Sequence, residues 1–108
     1  MCHRNTVKNN GYAFNFGKVG HGAYMVSSNG GTWSNIKDEE NNKVKAFKFG
    51  ENDIIGVKVD FNTKKMTFTK NKNGETWAIS FETKNGDKLH PCVLFYFIDD
   101  TVEYLKNW

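Results

Sequence analysis

The sequence predicts an all-β domain, an antiparallel β-sandwich, and three observations carry that expectation. Strand-like runs are short and are separated by Gly, Asn and Asp turn signals every eight to twelve residues or so, roughly the spacing of sandwiches and barrels. The 108 residues include nine Phe, four Tyr and three Trp within a hydrophobic share of only 38%. That composition suits layers packed through large flat side chains. No stretch shows a 3.6-residue apolar period long enough to predict a helix. A chain of this length buries roughly two thirds of its unfolded surface, which allows one core and hence one domain over residues 1–108.

The elements follow in order. Tyr12, Phe14 and Phe16 alternate with Ala13 and Asn15, so Gly11 to Phe16 reads as a strand with one aromatic face. Ala23 to Ser27 is a second. Ser28-Asn29-Gly30-Gly31 predicts a hairpin through a type I′ turn, because Asn-Gly accepts two positive φ angles, with Thr32-Trp33-Ser34 returning. Ile36 to Lys43 is charged and reads as a surface loop. Val44 to Phe49 resumes the extended pattern, and Gly50-Glu51-Asn52-Asp53 turns it into Ile54 to Asp60. There Ile55, Val57, Val59 and Phe61 share one face and Ile54, Gly56, Lys58 and Asp60 the other. Asn62 to Lys65 turns into Met66 to Thr69, with Met66 and Phe68 inward. Asn71-Lys72-Asn73-Gly74 gives the next hairpin, and Trp77, Ile79 and Phe81 then alternate against Thr76, Ala78 and Ser80. After a polar loop from Glu82 to Lys88, Cys92 to Ile98 is apolar on both faces and reads as a central buried strand, with Pro91 at its start. Asp99-Asp100 turns the chain into a last strand, Thr101 to Leu105.

Charge and cysteine content narrow the function classes. The formal charge is +3, the lysines are interleaved with Asp and Glu, and Arg4 is the only arginine. Nucleic-acid partners are contacted through clustered Arg and Lys, so none is expected. No apolar run approaches the 18 to 20 or so residues of a membrane span, and the polar start has no secretory apolar core. No membrane association is expected, and the protein reads as soluble and cytoplasmic. Cys2 and Cys92 lack any Cys-x-x-Cys or Cys/His ligand spacing. Reduced thiols fit that compartment, and a single terminal staple between the two is the alternative.

Five pieces in sequence order bear on the family. They are Asn52 to Val57 followed by Asp60; Met66 to Asn71; Gly74; Trp77 to Phe81; and Leu89-His90-Pro91-Cys92-Val93. Together they resemble the SPRY (B30.2-like) domain, a concanavalin-like antiparallel sandwich. Its pattern is a Gly-Asp-x-Ile-Gly strand, an Asp-containing turn, a Phe-x-Lys-Asn-Gly hairpin, an aromatic-ended strand and a Leu-Tyr-Pro-x-Val strand. The resemblance is strongest over residues 52–105 and looser over 1–49. This sequence has Asn52 where the family usually has Gly, His90 where it usually has Tyr, and an extra Lys72-Asn73 in the hairpin. The residues themselves suggest structural roles: Asp53 bonding its own turn, Gly56 allowing sheets to approach, and Phe68, Phe81 and Val93 filling the space between sheets. The resemblance also implies that the family's first strands are lacking here, to be completed by residues outside this chain or by another chain.

Catalytic chemistry has no foothold in the pattern. Among the three histidines, His3 is near a terminus, His21 lies between glycines and His90 precedes Pro91. No nucleophile elbow, P-loop or dinucleotide fingerprint occurs, and Gly17 to Gly22 lacks the Gly-Lys-Ser/Thr ending of a phosphate cradle. Asp99-Asp100 reads as turn residues, so no metal, no cofactor and no enzymatic activity are expected. The resemblance implies instead a module that binds a protein or peptide through loops at one end of the sandwich, as the target-recognition part of a larger assembly such as a ubiquitin ligase. On that alignment Trp33 takes the place of a pocket aromatic, and Tyr96, Phe97 and Ile98 that of the pocket-closing segment. Packing remains open for each: Trp33 as a cap on the core edge, Tyr96 and Phe97 inside the core. A lectin-like sandwich that stacks sugars on an exposed aromatic is the rival class.

Overall fold

The computed structural model describes residues 1–11, 17–72, 74–83, 88–93, 101–103 and 105. Its elements are β1 (Cys2–His3), α1 (Arg4–Asn9), β2 (Met25–Val26), β3 (Asn29–Trp33), a 3-10 turn (Asp38–Glu40), β4 (Lys43–Lys48), β5 (Ile55–Asp60), β6 (Lys65–Lys70), β7 (Thr76–Ser80) and β8 (Leu89–His90). All strand pairs are antiparallel. They form two three-stranded sheets, β2-β3-β4 and β5-β6-β7, and a short ladder of β1 with β8.

Register decides which side chains enter the core. Val57, Phe68 and Trp77 stand opposite one another across β5, β6 and β7, as do Val59, Met66 and Ile79. Directly paired residues share a face, so the alternation in these strands becomes one apolar surface. Against it the first sheet sets Tyr24 and Phe47. Tyr24, Phe47, Met66, Phe68, Ile79 and Phe81 form one buried cluster, with Val26, Ile55, Val59, Trp77 and Leu89 packed around it. Aromatic edges join the layers: Tyr24 meets Phe81 with centroids 6.3 Å apart, and Phe61 meets Phe81 at 5.6 Å, both edge to face. These are the separations at which ring quadrupoles attract.

The N-terminal strand lies between two neighbours. The His3 amide donates to the Gly22 carbonyl (2.7 Å), Tyr24 donates to Met1 (2.8 Å), and β8 pairs on the other side. One face of this ladder carries Cys2, Val7 and Ala23 into a second small buried cluster, with Met25 and Cys92 packed on it. On the other face, His3 Nε2 and the Tyr24 hydroxyl are hydrogen-bonded at 2.9 Å, and the same hydroxyl accepts the Glu82 amide at 3.3 Å.

The structure corrects several sequence expectations. Residues 4–9 form a helix where none is predicted. Six residues carry no apolar stripe, and only Val7 is buried, so this helix rests on packing rather than on periodicity. The turn at Asn29-Gly30 is not type I′. Gly30 alone has positive φ (87°), and its amide donates to Ser27 while Ser27 donates to Gly31. That is a tight turn followed by a left-handed glycine, the three-residue hairpin loop. Gly56 pairs with Thr69 on the face away from the core. A short strand occupies Leu89–His90, ahead of Pro91, which has no N–H to extend the ladder, and Cys92 and Val93 carry no strand. Val93 is 52% exposed rather than a core residue. Thr101–Glu103 and Leu105 are exposed and carry no strand. The expected strand at Tyr12 to Phe16, and most of the apolar run ending at Ile98, fall outside the described residues.

Candidate functional site

The best-defined surface feature is the loop joining β3 to β4, residues 34–42, together with the tryptophan that precedes it. Ser34 is fully buried and turns its hydroxyl back to accept the amides of Ile36 (3.1 Å) and Lys37 (3.0 Å). This side-chain turn replaces backbone pairing where the strand ends. Asn41, also buried, accepts the Ser34 amide at 3.0 Å through Oδ1 and bonds His21 Nε2 at 2.9 Å through the same oxygen. His21 Nδ1 accepts the Ala23 amide at 3.1 Å, which leaves Nε2 as the donor to Asn41. Asn35 accepts the Gly22 amide (2.8 Å), Asp38 accepts the Val19 amide (2.9 Å), and the Thr32 hydroxyl donates to the Glu40 carbonyl (2.8 Å). With the Gly20 amide donating to the Asn35 carbonyl at 2.9 Å, the loop is tied to the 17–22 segment by four hydrogen bonds.

Trp33 stands at the edge of this braced loop. It pairs with Met25 on the sheet face that carries Gly31 and Val44, and Val44 is 72% exposed. Its indole N–H donates to Asn42 Oδ1 at 3.0 Å, and Asn42 itself holds a left-handed φ of 56°. The ring lies over Gly31: a Cβ at that position would sit 2.9 Å from Trp33 Cη2 and 2.6 Å from Ser27 Oγ. Trp33 is half-buried and belongs to neither buried cluster. A side chain that is part-covered, fixed at its polar end and seated on a glycine presents an aromatic face with little rotamer freedom left to lose.

A separate cleft of about 240 Å³ borders the far end of the same loop, lined by Lys37, Glu40, Lys65, Ala78, Ile79 and Ser80. Glu40 Oε1 pairs with Lys45 at 3.0 Å. Two turns on the second sheet are fixed by carboxylates. Asp53 accepts the Gly50 amide (2.8 Å) and the Asn71 amide group (3.0 Å), and Asn71 also accepts the Ile54 amide (3.0 Å). The Asn71 bond first, then the Gly50 amide, holds the Asp53 carboxyl below its usual range. Asp60 is lowered likewise by the amides of Thr63 and Asn62.

Of the sequence-designated site residues, the structure describes Trp33; Tyr96, Phe97 and Ile98 lie outside the described residues, as do Asp99 and Asp100. His90 is half-buried on β8 and paired with Cys2. Among the described residues no group of three His, Cys, Asp or Glu side chains is gathered for a metal ion, and no helix is long and apolar enough to cross a membrane. Sequence reading missed the buried His21–Asn41–Ser34 knot. The available signal was the density of Asn and Ser in a stretch read only as charged, since these side chains bond neighbouring backbone.

Fold and site together define an antiparallel β-sandwich that presents a braced loop beside a half-exposed aromatic. The family model of the SPRY domain matches residues 2–104, and the chain belongs to that family, whose members are generally protein-interaction modules. Asn52 fits the membership: its φ of 69° is the left-handed backbone for which the family's glycine is suited. No curated protein and no solved structure matches the chain.

Proposed function

We propose that the protein is a non-enzymatic module of the B30.2-like type that recognises a peptide or protein epitope, with Trp33 as a central contact. The observation that carries this reading is the preorganisation of Trp33. Its ring is seated on Gly31, its N–H is held by Asn42, and its loop is fastened by buried hydrogen bonds. Rigid aromatic side chains of this kind dominate binding energy at interfaces, because little entropy is lost when a partner covers them. By the family resemblance, Tyr96, Phe97 and Ile98 would close the other side of the same pocket. The setting this supports is a cytoplasmic target-recognition domain within a larger assembly such as a ubiquitin ligase.

The experiment is selection from a displayed peptide library on immobilised protein, followed by titration of an enriched peptide into the wild type and Trp33→Ala. The expected result is a saturable peptide complex weakened by more than about 1 kcal/mol in the variant, with the circular dichroism spectrum and melt retained. Failure to enrich any peptide, together with binding on a glycan array, would replace this reading by the lectin-like one.

A further inference from the structure

We propose that Cys2 and Cys92 are a redox pair that closes a reversible intramolecular disulfide across the β1–β8 ladder. Three observations converge on it. Cys2 pairs with His90, only two residues before Cys92. Both side chains enter the same small apolar cluster with Val7 and Ala23. Both thiols are free, and Cys92 is close enough to be among the neighbours that raise the Cys2 thiol. A bond here would fasten the smallest sheet among the described residues, a ladder of two residue pairs, to the segment that follows Pro91.

The two sulfurs are not equivalent. Cys2 is buried and Cys92 is half-buried. Cys92 is therefore the thiol a small disulfide reaches first. Its thiolate attacks one sulfur of an oxidised low-molecular-weight thiol, RSSR, forming a mixed disulfide and expelling RS⁻. Cys2 then attacks the Cys92 sulfur, the protein S–S bond forms, and a second RS⁻ leaves. Two protein thiols lose two protons and two electrons, and RSSR becomes two RSH. Burial, and after it the neighbouring Cys92, pushes the Cys2 thiol up to about 11. The attacking form is the thiolate, so the second step speeds up as pH rises.

The test incubates the reduced protein with glutathione disulfide, quenches with acid, and reads intact mass and non-reducing peptide maps. The expected product is monomeric, two hydrogens lighter, with both free thiols lost and a Cys2–Cys92 cross-linked peptide. Its thermal midpoint is raised, and dithiothreitol reverses the change. Cys2→Ser should trap a stable glutathione adduct on Cys92, and Cys92→Ser should leave Cys2 unmodified while the protein is folded. A persistent adduct on wild-type Cys92, disulfide-linked dimers, or an unchanged midpoint after cross-linking would each overturn the proposal. Because Cys92→Ser alters a half-buried position, it serves as the second variant should Cys2→Ser fail to fold.

Discussion

Trp33 owes its position to Gly31. The missing Cβ leaves the space that the indole occupies, and added atoms would meet both the ring and the Ser27 hydroxyl at less than 3 Å. Gly31→Ala should therefore shift the tryptophan, change its fluorescence and weaken peptide binding, as is expected of Trp33→Ala. Unlike Trp33→Ala, it should also lower stability by about 1–3 kcal/mol through overpacking. Chemical denaturation and a peptide titration of both variants check this pair of outcomes. Trp33 was legible in the sequence because a Trp between Thr and Ser in a short returning strand stands out. Its supports were not. Asn42 lies nine residues away and His21 reaches Asn41 across twenty, and hydrogen bonds between distant positions leave no periodic trace.

At the scale of elements, the strands of the second sheet were read with their faces correctly assigned, because alternation of apolar and polar residues is a direct consequence of strand geometry. Ile55 to Asp60, Lys65 to Lys70 and Thr76 to Ser80 pair antiparallel in chain order. The short pieces were harder: α1 and β8 hold six and two residues, too few for a pattern to emerge, and both depend on neighbours for support. The turns between the strong strands have a chemical signature of their own. Asp53 and Asp60 accept hydrogen bonds as carboxylates and are held below their usual range in the folded protein. Their contribution is thus fully present above the unfolded carboxyl value of about 3.9 and is lost as pH falls through the lower folded values. Thermal melts should show the midpoint falling as pH drops from about 5 to about 2. The double substitution Asp53→Asn, Asp60→Asn should flatten that dependence. An equally steep acid limb in the variant would assign it to other carboxylates.

Over the whole molecule, the sandwich depends on Phe81, where the two sheets, Tyr24 and Phe61 converge. Phe81→Ala should cost about 3–5 kcal/mol, a large part of the roughly 5–15 kcal/mol of a typical domain; urea unfolding measures it. Among the described residues β5 is an edge strand, with Val57 41% and Phe61 57% exposed beside the charged Lys58. Lysine on an edge discourages further pairing. A monomer at all concentrations by size-exclusion chromatography would dismiss strand addition from a second copy. The sandwich class and the SPRY family were both legible in the sequence, because turn spacing and five ordered motifs are spread along the chain. The proposed recognition surface was only partly so, since the hydrogen bonds that brace the Trp33 loop join positions far apart in the chain. On the proposed function, a preformed aromatic contact at Trp33 binds a peptide. The direct measurement is isothermal titration of a library-selected peptide into the wild type and Trp33→Ala. A loss of more than about 1 kcal/mol with an unchanged melt is expected. Equal affinity for both proteins, or collapse of the fold on substitution, would contradict it.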